Sequence, residues 1–457
     1  MQNTMERSPQ GQSVKSLGDA TFRATVALQE LNVTLGFLLC PYHVELATAF
    51  GTSHSSTETR TNALLFISID GSVSGFGEAG LPPKKSLVYE ADLRDCTDYC
   101  KGYIEVLSNE EQRKKARSGS EKYNPFRGLP ERNFSEIRGP EGTSYSPLHH
   151  AMLCALDICP LNGEAYGRAG KALVESAILD SYGKEKEKTI VSLLNINSES
   201  NLHKSFYTAA INENIDLIVK AAKFGAQHTP HLKIKLNHSI DLAKTILHRI
   251  NEALPASEGE GCSLWSLDAN CAWTPEISTT MCKEVLYMYK DRIFMVEQPF
   301  PVGFNADVNN EKWVAAKKCF NGLGLKIFAD ESMRTWMDIE SLVPYVDGVN
   351  IKMEKCGGYR GALRAVSVAN QYNLDVWFGC MVGSNLNSTA TAHLFCLACC
   401  SDLDGALLVK ESSKIFSGGF LFTESGTIRL PQGNGVGLQI REDIADDIKK
   451  MAMGSTR

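Results

Sequence analysis

The sequence predicts a (β/α)8 barrel preceded by a strand-rich N-terminal region. Strand-like and helix-like apolar patterns alternate from about residue 168 onward, eight strand candidates can be counted there, and charged residues recur at or just beyond the ends of those strands. At 457 residues the chain exceeds what one hydrophobic core usually serves, so two domains are expected, one of them large.

The chain opens with a polar, Ser-rich stretch, Met1 to Leu17, that lacks the apolar segment of a secretory signal. Residues 1–21 are therefore expected to stand outside the fold, and a cytoplasmic address follows by default. No run of roughly 18 apolar residues is present, so no membrane span is expected. A net charge of -6 argues against nucleic acid as the main partner, because phosphate binding needs a basic face. Fourteen cysteines scattered through apolar contexts read as reduced core thiols. Cys396 and Cys399 form one C-x-x-C, but no second pair completes a zinc set, and the stretch His393 to Cys400 reads as a buried helix.

Phe22 to Leu39 and Ala63 to Ile69 read as strands, and the second ends at the turn signal Asp70-Gly71 before Gly75-Phe76-Gly77-Glu78. Between them, the Ser/Thr-rich segment Pro41 to Arg60 reads as a loop. Residues 109–147 are charged and carry several Gly and Pro, which reads as a surface insertion. His149-His150 at its end reads as an incidental polar pair rather than a metal site. Ala169 to Tyr182 has helical apolar spacing. The eight strand candidates are Thr189 to Ile196, Leu232 to Leu236, Leu264 to Leu267, Ile293 to Val296, Leu325 to Phe328, Gly348 to Ile351, Leu374 to Phe378 and Cys400 to Asp404. Ile240 to Leu254 is a helix, and Thr274-Pro275-Glu276 is a helix start with Thr as N-cap and Pro at the first position. Ile415 to Leu430 is again strand and turn.

Lys233, Lys235, Asp268, Glu297, Asp330, Lys352, Asp402 and Asp404 stand at these strand ends. From Lys235 to Asp402 the steps are 33, 29, 33, 22 and 50 residues, the last spanning two strands. A barrel of about 250 residues advances about 30 per unit, and its strand C-termini meet at one mouth, so the charges should converge. Asp268, Glu297 and Asp330, three carboxylates from consecutive strands, suit a hard cation such as Mg2+. Strand alternation points Lys233 and Lys235 the same way, and Lys352 comes from across the barrel. A nearby cation and a second ammonium would lower a lysine pKa and free an amine as base. Two lysines facing opposite sides of one carbon are what proton removal from one face and return to the other require.

With these residues in hand, the chain resembles the enolase superfamily, specifically its muconate-lactonising subgroup. The matching strings are Lys233-Ile-Lys235, Leu267-Asp268-Ala269-Asn270, Val296-Glu297-Gln298-Pro299, Ala329-Asp330-Glu331-Ser332 and Asn350-Ile351-Lys352. The resemblance implies an α+β capping domain built from the N-terminal part and the C-terminal strands. The expected boundaries are 22–165 for the cap with its charged insertion, 166–413 for the barrel and 414–457 for the returning segment. Asp402-Leu403-Asp404 is similar to the Asp-x-Asp of dipeptide epimerases, which implies that the pair holds the substrate's α-ammonium. The implied reaction inverts the α-carbon of a dipeptide's C-terminal residue: Lys235 removes the proton, Mg2+ and Lys233 stabilise the enediolate, and Lys352 returns a proton.

Two departures bear on specificity. Family members acting on Ala-Glu carry an arginine in the first cap loop, where this chain has Thr48 to Thr52, with Phe50 or Gly51 at that place. Phe50, Gly51 and Thr52 are candidate substrate contacts. Without a cation there a glutamate side chain would be buried unpaired, so neutral or hydrophobic C-terminal residues are expected unless a residue such as Arg60 supplies the charge. Ser384, beside Gly383 where relatives often have Glu, is a further candidate contact. A cycloisomerase or o-succinylbenzoate synthase would use the same metal set without needing Asp402 and Asp404. A non-catalytic scaffold should have lost ligands or lysines, and none is lost. A homo-oligomer is left open.

Overall fold

A computed structural model describes residues 16–51, 56–85, 88–113, 146–161, 167–197, 203–255, 263–306 and 310–452. The N-terminal part forms an antiparallel sheet in the order β1 (Phe22–Leu28), β2 (Val33–Gly51), β3 (Ser56–Ile69) and β4 (Ser72–Ala79). The segment read as one strand from Phe22 to Leu39 is a hairpin, turned at Asn32 with φ 51°. The expected loop from Pro41 to Arg60 is mostly strand. Tyr42, Val44 and Leu46 are buried while His43 and Glu45 are exposed, a period-two pattern that outweighs the loop-like Ser/Thr content.

The sheet packs on the helix Gly167–Glu185 through the Gly-Phe-Gly-Glu string. A Cβ on Gly75 or Gly77 would lie 2.3 Å from the carbonyl oxygen of Ala177 or Leu173, so only glycine allows this approach. Asp180 of that helix is fully buried and accepts hydrogen bonds from Phe76 N and Val436 N, tying the C-terminal segment to the sheet. That segment pairs Phe416–Gly418 with Leu438–Ile440, and the helix Glu442–Ala452 packs on β2 and β4.

Eight parallel strands close into a barrel: β5 (Lys204–Ala209), β6 (His231–Lys235), β7 (Trp265–Asp268), β8 (Ile293–Glu297), β9 (Lys326–Ala329), β10 (Gly348–Ile351), β11 (Asp375–Gly379) and β12 (Cys400–Asp402). Seven coincide with the expected strands, but the first does not. Thr189 N-caps a short helix, Ile190–Leu193, and the barrel opens instead on β5. The apolar run misled because its burial is helical, whereas β5 sits among polar residues that read as loop. Thr274 caps its helix as expected, accepting from Ile277 N with Pro275 at the first position.

Inside the barrel Phe206, Met295, Phe328, Trp377 and Cys400 form a separate buried cluster. The Phe206 and Trp377 ring centroids are 4.8 Å apart, so an aromatic layer fills the interior. The buried helix expected around Cys396 and Cys399 is a short 3-10 turn, Phe395–Leu397, because the chain must reverse at once into β12. No disulfide links described residues. His149 is fully buried and bonded to the hydroxyls of Ser146 and Ser181, a packing role rather than a metal site. No described helix is long and apolar enough to cross a membrane.

The Gly77 contact sets a test. Gly77→Ala should destabilise by about 1–3 kcal/mol through overpacking. Gly102→Ala, whose added methyl meets nothing within 4 Å in the helix Leu93–Ser108, should be neutral or mildly stabilising. Urea midpoints of the two variants give the comparison, and equal midpoints would refute the packing account.

Candidate active site

Parallel register brings the charges together. Lys235, Asp268 and Glu297 are direct neighbours at the ends of β6, β7 and β8, and Asp330 follows the end of β9. All are buried: Asp268 and Glu297 are 0% exposed, Asp330 1%, Lys233 2%, and Lys235 and Lys352 6% each. In the closed strand order β6 and β10 stand four steps apart in either direction, so Lys235 and Lys352 flank the mouth from opposite sides.

The ammonium groups hold the carboxylates. Lys233 Nζ lies 2.6 Å from Glu297 Oε2, 2.7 Å from Asp402 Oδ2 and 3.4 Å from Asp268 Oδ2. Lys235 bonds Asp268 at 2.7 Å and Asn270 Oδ1 at 3.0 Å. Lys352 bonds Asp330 Oδ2 at 2.7 Å, and Lys355 donates to Asp330 Oδ1, Asp330 O and Asn350 O. Burial pulls the pKa values of Lys233 and Lys352 down, but the surrounding carboxylates outweigh it and hold both above the ordinary lysine range. The lowering expected of a lysine belongs to the cation-bound site; here these same ammoniums balance the carboxylates. Asp330 is driven the opposite way: burial would raise its pKa, yet Lys352 and Lys355 hold it well below the usual range.

Among the three candidate cation ligands Glu297 is the exception. Burial, opposed chiefly by Lys233, together with Asp268 and Asp330, pushes its pKa up to about 8. Its Oε1 accepts from Asn350 Nδ2 at 2.8 Å, while Oε2 has only the Lys233 ammonium beside it. Among the described residues no three His, Cys, Asp or Glu side chains surround a common point as metal ligands. Their oxygens turn to the ammoniums instead. The donor set itself fits a hard divalent cation: three buried carboxylates on adjacent barrel positions, balanced only by lysine ammoniums and amides.

Above this layer lies a cavity of about 350 Å³ between barrel and cap. Lys233, Lys235, Lys352, Asp402 and Asp404 all line it. Asp402 ends β12 and accepts at 2.6 Å from Trp377 Nε1, which connects it to the aromatic layer. The strand stops there, so alternation does not govern Asp404. Instead Asp404 opens a 3-10 turn and accepts from Thr208 N at 2.5 Å. Burial, then the neighbouring Asp402, raises the Asp404 pKa to about 6.

The cap candidates fare differently. Thr52 and the surroundings of Phe50 and Gly51 lie outside what is described, as does most of the charged insertion. Ser384 is 0% exposed and stands outside the cavity lining. It caps the helix Asn385–Ala392, its N–H donates to Glu78 Oε1 at 3.0 Å, and its hydroxyl bonds Glu78 Oε2. It joins cap to barrel because the serine that starts a helix has its hydroxyl pointed at the chain end, where Glu78 arrives.

Sequence reading missed Asn270, Asn350, Lys355 and Tyr89. The two asparagines had a signal, since each sits two residues from a named charge and strand ends repeat in twos. Lys355 lies in the turn Met353–Cys356 and had none. Tyr89 Oη stands 3.5 Å from both Asp330 and Glu331, a meeting of distant segments.

Fold and site define a capped (β/α)8 barrel with a carboxylate–lysine centre at the C-terminal ends of its strands. The chain belongs to the enolase superfamily: residues 216–444 match the family model for the enolase C-terminal domain-like fold, and an enolase superfamily member of Dictyostelium discoideum is 35% identical over 430 residues, covering 90% of this chain and 98% of that one. An L-Ala-D/L-amino acid epimerase of Maribacter sp. is 25% identical over 401 residues, covering 88% and 98%. Two solved structures share the fold. A dipeptide epimerase from Cytophaga hutchinsonii, complexed with Mg and D-Ala-L-Val, has a TM-score of 0.66 at 21% identity and covers 91% of this chain and 98% of its own. A muconate lactonizing enzyme from Pseudomonas fluorescens, complexed with muconolactone, has 0.67 at 18% identity, covering 93% and 99%.

The charge layout predicts opposite effects of two neutralising substitutions in metal-free protein. Asp330→Asn leaves two buried ammoniums without their carboxylate and should cost about 3–5 kcal/mol. Glu297 has a raised folded pKa, so its ionisation above the ordinary carboxylate range opposes folding, and Glu297→Gln should be neutral or stabilising. Urea unfolding at pH 7.5 with chelator ranks them, and the reverse order would refute this account.

Proposed function

We propose that the protein is a Mg2+-dependent dipeptide epimerase, an isomerase that inverts the α-carbon of a dipeptide's C-terminal residue and is not confined to Ala-Glu. The observation that carries this reading is one cavity with a lysine on each side and two carboxylates, Asp402 and Asp404, at its edge. The similarity to named epimerases over most of the chain supports it.

Asp268, Glu297 and Asp330 would hold the cation, which when bound supplies positive charge for a substrate carboxylate. Asp402 and Asp404 receive the dipeptide's α-ammonium by charge-assisted hydrogen bonds. Lys235 removes the α-proton from one face, and Lys352 delivers a proton to the other. Lys233, between Glu297, Asp268 and Asp402, faces the charge that develops on the substrate carboxylate. Asn270 and Lys355 orient Lys235 and Asp330. Running the two lysine roles in reverse inverts the opposite epimer. A cycloisomerase of the same fold has no use for two carboxylates at an ammonium site, which favours the epimerase reading.

Three measurements test this. Chelation should abolish α-deuterium incorporation into dipeptides in D2O, and Mg2+ should restore it. Lys235→Ala and Lys352→Ala should each stop epimerisation while still exchanging the α-hydrogen of one epimer; Lys352→Ala turning over at the parent rate would end the two-base mechanism. Because Asp404 is neutral below about pH 6, kcat/KM for dipeptides should fall as pH drops through that value, and Asp404→Asn should lose roughly tenfold to a hundred-fold at pH 8. Equal turnover of N-acetylated dipeptides would remove the ammonium-binding role.

A further inference from the structure

The two lysines are not held alike. Lys352 bonds Asp330 Oδ2 at 2.7 Å, and no amide among the described residues hydrogen-bonds it. Lys235 bonds Asp268 and also, at 3.0 Å, the side-chain carbonyl of Asn270. A neutral carbonyl aims an amine without gripping its proton as a carboxylate does, because charge-assisted hydrogen bonds are roughly twice as strong. Asn270 can act so only while its amide keeps the oxygen toward Lys235.

Asp268 and Glu331 set that orientation. Asn270 Nδ2 donates to Asp268 Oδ2 and to Glu331 Oε1, each at 3.2 Å. A turned amide would set its N–H groups against an ammonium and its oxygen against two carboxylates. Asp268 is one of the candidate cation ligands. Glu331 is outside that set, so its bond to the amide does not compete with a cation. Its backbone is fixed on both sides, because Gln298 Oε1 accepts from Asp330 N at 2.9 Å and from Ser332 N at 3.1 Å. The Glu331 side chain is buried, its Oε1 is shared between Asn270 and Tyr89 Oη, and its Oε2 accepts no hydrogen bond. A carboxylate so placed costs stability, and an apolar side chain would fill the same space without that cost.

We propose that Glu331 is a positioning residue for Lys235, acting through Asn270, and that the two halves of the reaction are therefore unequal: proton transfer at Lys235 depends on Glu331 and transfer at Lys352 does not. The consequence for turnover rests on the two-base epimerase reading. On one face the Lys235 amine takes the α-proton and becomes an ammonium, while the C–H electron pair passes to the substrate carboxylate. On the other, the Lys352 ammonium gives a proton to the α-carbon and becomes an amine. Misplacing such a group by about 1 Å costs on the order of a hundred-fold in rate.

Exchange of a dipeptide's α-hydrogen in D2O isolates each half. With Lys352→Ala only Lys235 exchanges it, and with Lys235→Ala only Lys352 does. Adding Glu331→Ala should slow the Lys235 half roughly ten- to hundred-fold, and by about tenfold more than the Lys352 half. Glu331→Gln, whose side-chain carbonyl still accepts from Asn270, should recover most of the Lys235 rate. Equal losses in both halves, as a merely structural role gives, or no loss at Lys235, would overturn the proposal. A crystal structure of Glu331→Ala reads the positioning without turnover: Asn270 Oδ1 should lie more than about 3.5 Å from Lys235 Nζ, with Lys352 still on Asp330. An Asn270–Lys235 bond that survives the substitution would overturn the role even if exchange were lost. Glu331→Leu, which keeps the volume, carries the same expectations should the alanine variant not fold. If the parent exchanges no dipeptide at all, the epimerase reading fails, and the crystal geometry still decides the role of Glu331.

Discussion

Buried charge at the barrel mouth constrains everything around it. Asp268, Glu297, Asp330 and Asp402 share a small volume with the ammoniums of Lys233, Lys235, Lys352 and Lys355, nearly all sealed from solvent. In such surroundings an unpaired charge costs several kcal/mol, so each group must be set within hydrogen-bond reach of an opposite one. Parallel strand register does this, because adjacent strands end side by side and deliver one side chain each. The amides of Asn270 and Asn350 and the indole of Trp377 take up remaining acceptors. Glu297 alone among the three candidate ligands has a raised pKa, so a divalent cation would relieve the cluster most there.

The cap is held on by surface ion pairs such as Lys410–Glu45 and Arg360–Asp157 and by buried hydrogen bonds. Glu78 and Glu354 are buried carboxylates without cations, kept soluble in the interior by hydrogen bonds from Asn62 and Ser384 to the first and from Gly80 and Asn387 to the second. Each joins a cap residue to a barrel loop. The two glycines at 75 and 77 bring β4 onto the helix Gly167–Glu185. Cap and barrel therefore meet over a cavity whose barrel side carries both ammoniums and carboxylates and whose cap side carries Arg60 and Lys85, a layout that sorts ligands by where their own charges fall. Solved neighbours of the same fold are bound to a dipeptide in one case and to muconolactone in another, so the barrel alone does not choose the chemistry. The side chains at the cavity edge do.

The ion pairs also bear on how the site is poised. In this arrangement Lys233 and Lys352 are held as ammoniums by the carboxylates beside them. A base must be an amine, so any positive charge that satisfies the carboxylates also loosens their hold on the lysine protons. Ligand set and base are coupled through the same oxygens, most directly at Asp330, which Lys352 and Lys355 share.

What the sequence determined by itself was whatever repeats with a period. Seven of eight barrel strands, the cap on Thr274, and the charges from Lys233 to Asp402 were legible because a strand end recurs about every 30 residues and alternation assigns faces. Where period failed, so did the reading: Thr189 to Ile196 is apolar without alternating, and within the expected loop Tyr42 to Leu46 alternates beneath a loop-like composition. Only the tertiary structure decided which charges pair. Lys355 follows Lys352 by three residues in a turn that carries no pattern, Tyr89 reaches Asp330 from the cap, and Ser384 is claimed by Glu78, 306 positions away. Arg60 was a residue in an expected loop until β3 turned it toward the cavity. These are contacts between segments far apart in the chain, and no local spacing encodes them; closure of the barrel and docking of the cap do.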